Sequence, residues 1–143
     1  MSAINDSLNI LMNLSKVQSI ISRRFDRLNM HGIGFTDFMI LYFLNQSAGK
    51  SMRRIDLAEM AGITASGITR ILLPLEKTGL VGRESNERDA RVSYVTLTES
   101  GKELFDNANQ TANALASEII PAGKGMDNKL LADLLKRLGG NIN

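Results

Sequence analysis

The chain has 143 residues, of which 22% are charged and 43% hydrophobic, with a formal net charge of +2 and no cysteine. This length predicts one domain, and the absence of cysteine excludes disulfides, thiolate metal sites and sensing of oxidants through thiols. No apolar run is long enough to span a bilayer and the N-terminus does not resemble a signal peptide, so we expect a cytoplasmic protein without a membrane partner.

A long helix is predicted at the N-terminus, because apolar residues recur at spacings of three and four from Ile4 to Leu28. A second partial apolar row widens this face, as in a helix that packs against more than its own domain. The stretch from Met30 to Gly34 contains two glycines and is expected to end the helix. Thr36 is then predicted to cap a second helix from Asp37 to Gln46, whose large apolar residues indicate near-complete burial.

A helix-turn-helix pattern follows a short predicted strand at Ser51 to Arg53. The third helix covers about Arg54 to Ala61, Gly62 makes the turn, and the fourth helix runs from Thr64 to just before Gly79. Small polar and cationic residues occupy the start of the fourth helix: Thr64, Ala65, Ser66, Gly67, Thr69 and Arg70. Such a helix start can bind phosphates through its free N–H groups and reach base edges in the major groove.

A charged hairpin comes next, with strands predicted at Leu80 to Glu84 and Val92 to Leu97 and arginines at its tip. Thr98 is predicted to cap a fifth helix, and a last helix covers about Asp127 to Leu138. The fifth helix is expected to end at three helix-breaking residues: Pro121, Gly123 and Gly125.

The whole pattern resembles the MarR (multiple antibiotic resistance regulator) family of bacterial transcription factors. It contains LA-x-x-x-G-I-T-x-S, R-x-L-x-x-L-E-x-x-G-L-V, R-D-x-R and V-x-L-T-x-x-G in the order found in that family. The matching residues are Leu57, Ala58, Gly62, Ile63, Thr64, Ser66, Arg70, Leu75, Glu76, Gly79, Leu80, Val81, Arg88, Asp89, Arg91, Val95, Leu97, Thr98 and Gly101. Arg53 departs from the pattern, because a Ser or Thr cap is usual before the third helix; this Arg could contact phosphate instead.

The resemblance implies a mainly α protein of the α+β winged-helix type, with about six helices and a small β-wing. It implies one domain over residues 1–143, in which about 35–100 form the DNA-binding lobe and about 1–30 and 101–143 form dimerisation helices. The expected function is sequence-specific binding of double-stranded DNA as a homodimer, as a repressor on a pseudo-palindromic operator. A monomer that buries the terminal apolar stripes internally is the alternative to a dimer. A winged helix that docks a protein is the alternative to DNA readout.

Several residue roles follow from the same resemblance. Arg91 is expected to enter the minor groove with its guanidinium held by Asp89, and Arg88 to clamp a phosphate, whereas an inert salt bridge at the hairpin tip is the alternative. From the placement of charges alone, one cationic face is expected if the hairpin folds beside the fourth helix, and a solvated mixed-charge surface is the alternative. The arginines of this face are Arg53, Arg54, Arg70, Arg83, Arg88 and Arg91. A small aromatic or lipophilic effector is expected between the dimerisation helices and the winged helix. The candidate lining residues, which could equally belong to the core, are Met12, Met30, Phe38, Met39 and Tyr42.

An enzyme is not expected. His31 is the only histidine, there is no cysteine, and no carboxylate cluster replaces the usual ligand sets of transition metals. We therefore expect neither a metal nor a cofactor, and a structural role for His31 at the end of the first helix.

Overall fold

The computed structural model describes residues 2–85, 88–89, 91–123 and 127–143. Over these residues the chain forms six α-helices: α1 Asp6–Arg24, α2 Phe35–Gln46, α3 Arg54–Ala61, α4 Ala65–Lys77, α5 Glu99–Ile119 and α6 Asn128–Arg137. Three strands complete the fold: β1 Ser51–Arg53, β2 Val81–Ser85 and β3 Ser93–Leu97. The predicted fold class, a mainly α winged helix with about six helices and a small β-wing, is confirmed.

The sheet is antiparallel, in the order β1-β3-β2. Met52 on β1 lies opposite Val95 on β3, and Arg83 on β2 lies opposite the same residue. Val95 is fully buried, so the central strand attaches the hairpin to the helical core. This attachment holds the wing next to the helix-turn-helix.

The core centres on α2, whose run of large apolar residues includes the buried Ile40, Leu41, Phe43 and Leu44. Phe38 stacks on Phe105 of α5, with ring centroids 5.2 Å apart. From α4, the core receives Ile68, Leu72 and Leu75, which lie one and two turns apart on one side of that helix. The opposite side of α4 therefore faces solvent.

The start of α2 differs from the sequence-based prediction. Thr36 was expected as its cap, but the helix begins at Phe35 with Gly34 as the N-cap residue. The backbone N–H of Gly34 donates to Asp37 Oδ2 at 2.9 Å. The cap at Thr36 is therefore wrong, because Asp37 at the third helical position bonds back to the chain before the helix. The first helix also differs, since α1 ends at Arg24 and continues as a 3-10 helix over Phe25–His31.

Close packing at the junction between the wing and α5 explains why the motif V-x-L-T-x-x-G ends in glycine, at Gly101. Thr98 caps α5 as predicted, because its Oγ1 accepts the N–H of Gly101 at 3.0 Å. A Cβ at Gly101 would lie 2.1 Å from the carbonyl oxygen of Leu80. Only glycine therefore lets the first turn of α5 pack this closely against the chain entering β2.

The end of α5 was predicted from Pro121, Gly123 and Gly125, and the helix ends at Ile119. Gly123 has a φ of 72°, whereas Gly125 lies outside the described residues. The two wing strands begin one residue later than predicted.

The two terminal helices leave their apolar faces uncovered. Neither α1 nor α6 contains a buried residue. The exposed large apolar side chains of these two helices include Leu8, Ile10, Leu11, Met12, Leu14, Val17, Ile20, Leu130, Leu134 and Leu135. No helix in the described part of the chain has both the length and the hydropathy needed to cross a membrane.

Candidate nucleic-acid interface

The turn before α4 presents the start of that helix to solvent. Gly62 adopts a left-handed conformation, with φ 70°, and ends α3. Thr64 is the N-cap of α4, and its Oγ1 accepts the N–H of Gly67 at 3.0 Å. Helix geometry leaves the other N–H groups of the first turn without an intrahelical acceptor, and the helix dipole makes this end electropositive. The arrangement can bind an anion such as a DNA phosphate.

The N-terminal cap of α4 explains why glycine occupies position 67. A Cβ at this position would lie 3.1 Å from Thr64 Oγ1, closer than ordinary van der Waals contact. The glycine therefore leaves room for the capping hydroxyl.

The exposed face of α4 carries the side chains predicted to read bases. Ala65, Ser66, Thr69 and Arg70 are all exposed, whereas Ile68 between them is buried. Within the part of the chain that the structure describes, no hydrogen bond or ion pair engages the Arg70 side chain. Its guanidinium can therefore reach a guanine edge without breaking an existing contact.

The wing presents Arg91 beside this helix. The Arg91 side chain is 92% exposed, and its Nε lies 3.2 Å from Asp89 Oδ1. The same oxygen accepts the backbone N–H of Arg91 at 3.0 Å. These two bonds, the backbone one first, lower the pKa of Asp89 below its usual value, so the carboxylate stays ionised and holds the guanidinium. Arg88, at the same tip, is also exposed.

The wing and the helix-turn-helix enclose a cleft of about 360 Å³. The cleft brings together residues far apart in sequence: Arg53, Arg54, Ile55, Ala65, Ile68, Arg91, Val92 and Ser93. Three arginines from β1, α3 and the wing thus lie around one concave surface that includes the start of α4. Of the arginines expected on the cationic face, Arg53, Arg54 and Arg91 line this cleft.

All three of these arginines have intramolecular partners, and that of Arg91 is Asp89. Arg53 donates from its Nε to Asp56 Oδ2 at 2.9 Å and from its second terminal nitrogen to Asp56 Oδ1 at 3.1 Å. This pair lowers the pKa of Asp56 and raises that of Arg53. Arg53 provides no side-chain cap for α3, in agreement with the departure noted in the sequence. Arg54 donates to Thr69 Oγ1 at 2.9 Å.

Sequence reasoning missed Glu76 as part of this surface. Glu76 Oε1 accepts a hydrogen bond from Arg83 Nε at 2.7 Å and lies 3.7 Å from Arg54 Nη2. The bond to Glu76 raises the pKa of Arg83. The available signal was a glutamate near the end of a helix, with an arginine in the strand that follows.

The residues predicted to line an effector pocket are divided between the core and the surface. Phe38, Met39 and Tyr42 are half-buried on α2, while Met12 and Met30 are 57% and 77% exposed. A separate cavity of about 270 Å³ is lined by other residues: His31, Ser100, Glu103, Leu104 and Asn107. His31 Nε2 lies 2.9 Å from Thr111 Oγ1, a contact that ties the 3-10 helix to α5. Among the described residues, no three His, Asp or Glu side chains form a group that could hold a metal ion.

The sequence matches one family model and is similar to several bacterial transcriptional regulators. The model of the family described as transcriptional regulator SarA/Rot matches residues 26–108. The chain is 27% identical over 139 residues to the HTH-type transcriptional regulator YdgJ of Bacillus subtilis, covering 97% of this chain and 82% of YdgJ. It is 28% identical over 123 residues to the transcriptional repressor MprA of Escherichia coli, covering 83% of this chain and 70% of MprA.

Solved structures share the fold. The regulator BldR of Sulfolobus solfataricus superimposes with a TM-score of 0.79 at 26% identity, covering 96% of this chain and 98% of BldR. Sco3205 of Streptomyces coelicolor, a MarR family regulator in complex with DNA, has a TM-score of 0.77 at 20% identity, with 96% and 88% covered. The organohalide-sensing regulator RdhR, in a form bound to 2,4-dichlorophenol, has a TM-score of 0.83 at 19% identity, with 95% and 80% covered.

Proposed function

This chain belongs to the SarA/Rot family of transcriptional regulators and is a DNA-binding regulator, and on that premise we propose that it is a repressor that binds a pseudo-palindromic operator as a homodimer. The observation that carries the proposal is the cleft between α4 and the wing. There the exposed start of a helix and the guanidinium of Arg91 lie on one cationic surface. A recognition helix in the major groove and a wing arginine in the adjacent minor groove are the contacts this surface would make.

The proposed contacts divide into two kinds. The first turn of α4, with Thr64, Ala65, Ser66 and Gly67, would receive a phosphate and approach base edges, while Arg70 would read a base in the major groove. Arg53, Arg88 and Arg91 would act mainly through charge, and Asp89 would orient Arg91. Arg53 would exchange part of its bond to Asp56 for a phosphate, which is feasible because both side chains are about half exposed.

The homodimer proposal rests on the two terminal helices. The 19 residues of α1 include none that is buried, and its apolar side chains lie on a face that the described chain does not cover. A second copy would cover this face together with that of α6, because each apolar stripe then finds an equivalent partner across a two-fold axis. The same symmetry would place two recognition helices on two half-sites.

We further propose that a small aromatic or lipophilic molecule releases the protein from DNA. RdhR binds 2,4-dichlorophenol in a fold of the same type. The candidate lining residues in this chain remain Met12, Met30, Phe38, Met39 and Tyr42, and exposure of the two methionines leaves them available to a pocket at the dimer interface. A panel of phenols and aromatic acids would test this: at least one should weaken DNA affinity, and no effect from any would reject it.

Selection of bound duplexes from a random pool tests the main proposal. We expect enrichment of a two-fold symmetric sequence, with half-sites about one DNA turn of 10 base pairs apart or a multiple of it. Binding to this duplex should weaken steeply with added salt, because Lys and Arg side chains release counterions from the phosphates. A surface that docks a protein instead would enrich no sequence. Since the proposed partner is chromosomal DNA, the proposed location is the cytoplasm.

A further inference from the structure

One carboxylate connects the three elements of the candidate interface. Glu76 Oε1, on the last turn of α4, accepts a hydrogen bond from Arg83 Nε of β2 at 2.7 Å. It lies 3.7 Å from Arg54 Nη2 at the start of α3, and the other terminal nitrogen of Arg54 donates to Thr69 Oγ1 at 2.9 Å. A continuous path of polar contacts thus runs from the wing through Glu76 to the exposed face of α4.

The inner part of this path is shielded from solvent. The side chains of Glu76 and Arg54 are 18% and 20% exposed, whereas that of Arg83 is 55% exposed. Charges at this depth are screened less than a surface pair, so their mutual attraction is stronger. Without the carboxylate, two guanidinium groups would share this space and repel each other. The carboxylate of Glu76 offsets this repulsion beside the Arg54 guanidinium that bonds to Thr69.

The path also determines what Thr69 offers to DNA. The Thr69 hydroxyl donates to the carbonyl oxygen of Ala65 at 3.0 Å and accepts the bond from Arg54. A hydroxyl has one donor and two acceptor sites, so Thr69 retains one acceptor and its methyl group. In the major groove such a group suits the amino group of adenine or cytosine, or the methyl group of thymine. It does not suit guanine, which presents only acceptors on that edge.

We propose that Glu76 is a positioning residue for DNA reading, whose carboxylate holds Arg54 against Thr69 and Arg83 against the recognition helix. This inference rests on the proposed function. Arg54, expected from sequence at the cationic face, then acts through Thr69 and not through a phosphate. The wing and the recognition helix are presented to DNA as one unit.

The test compares Glu76→Gln with wild type on the selected duplex and on a scrambled one. We expect the affinity of Glu76→Gln for the selected duplex to fall about tenfold, which corresponds to about 1.4 kcal/mol. Affinity for the scrambled duplex should be unchanged or tighter, because one negative charge near the phosphates has been removed. Selection with the variant should also flatten preference at the base facing Thr69, a change that loss of stability alone would not produce.

Glu84→Gln is the matched control, because it removes the same charge from an exposed position on β2. It should retain the wild-type ratio of selected to scrambled affinity. Arg54→Lys is a second variant that keeps the charge, but a single ammonium cannot both bond Thr69 and lie beside Glu76 as the two terminal nitrogens of Arg54 do. It should lower the ratio as Glu76→Gln does, and it answers the question if Glu76→Gln does not fold.

A wild-type ratio and unaltered base preference in a folded Glu76→Gln or Arg54→Lys variant would overturn the positioning role alone. A wild-type protein that does not distinguish the two duplexes would instead overturn the proposed function, and the positioning role with it.

Discussion

Replacing Arg91 by alanine tests the contribution of the wing to DNA binding. The side chain is 92% exposed and pairs with Asp89 at the surface, so its removal leaves the core unchanged. We expect Arg91→Ala to weaken binding to the selected and the scrambled duplex alike, because the residue is proposed to act through charge and minor-groove width.

The magnitude follows from one cation per subunit. Each phosphate neutralised contributes about 0.9 to the slope of log affinity against log salt, so a dimer that loses two Arg91 side chains loses about 1.8 units. Over a fourfold rise in salt, from about 50 to 200 mM, the affinity of the variant should therefore fall roughly tenfold less than that of wild type. Fluorescence anisotropy with labelled duplexes measures both slopes.

Arg70→Ala is the contrasting variant. It should cost about 1 to 3 kcal/mol per half-site on the selected duplex and reduce discrimination at one base position. Lys77→Ala, at the far end of α4 and also exposed, controls for the loss of any cation and should leave the salt slope unchanged. The reasoning is refuted if Arg91→Ala changes base preference with no change in slope, or if Arg70→Ala weakens both duplexes equally.

Four further expectations are open to measurement. Leu134→Asp should weaken self-association by about 3 kcal/mol or more, because it places an unpaired charge in the proposed interface, whereas Asp133→Ala should leave self-association unchanged. An unchanged dimer mass by light scattering in a folded Leu134→Asp variant would contradict this. Gly101→Ala should lower the free energy of unfolding in urea by about 3 kcal/mol, because the new Cβ would lie 2.1 Å from a backbone oxygen. A decrease below about 1 kcal/mol would show that the junction between the wing and α5 relaxes. Since bonds from Arg91 lower the pKa of Asp89, an NMR titration of this carboxyl should have its midpoint below the usual value. The stabilisation from this pair should be complete above about pH 4 and lost as the pH falls through the lower folded-state pKa. A midpoint at or above the usual value would exclude the pair in solution. Peroxide at levels that spare methionine should leave DNA affinity intact because the chain has no cysteine, and a clear loss would indicate another oxidisable group.

Local patterns predicted most of the elements. The Gly62 turn, the Thr98 cap and the start of α3 at Arg54 all lie where the sequence indicated, and the resemblance to MarR family regulators is confirmed. The fourth helix was predicted to start at Thr64, which is instead its N-cap residue. These features depend on residues within one or two turns of each other, where short-range hydrogen bonds and backbone preferences decide the conformation. The same local rules were wrong at Thr36, because the hydrogen bond from Gly34 N–H to the Asp37 side chain starts the helix two residues earlier.

The sequence by itself therefore determined the order of elements, the exposed small residues at the start of α4 and the absence of thiol chemistry. Only the tertiary structure decided which charges meet. Arg54, Thr69, Glu76 and Arg83 are separated by up to 29 positions from Arg54 to Arg83, and no local rule indicates that they form one path. Packing of α3 against α4 and pairing of β2 with β3 bring them together. The physical reason is that an ion pair depends on distance in space, which the core and the sheet set, and not on spacing along the chain.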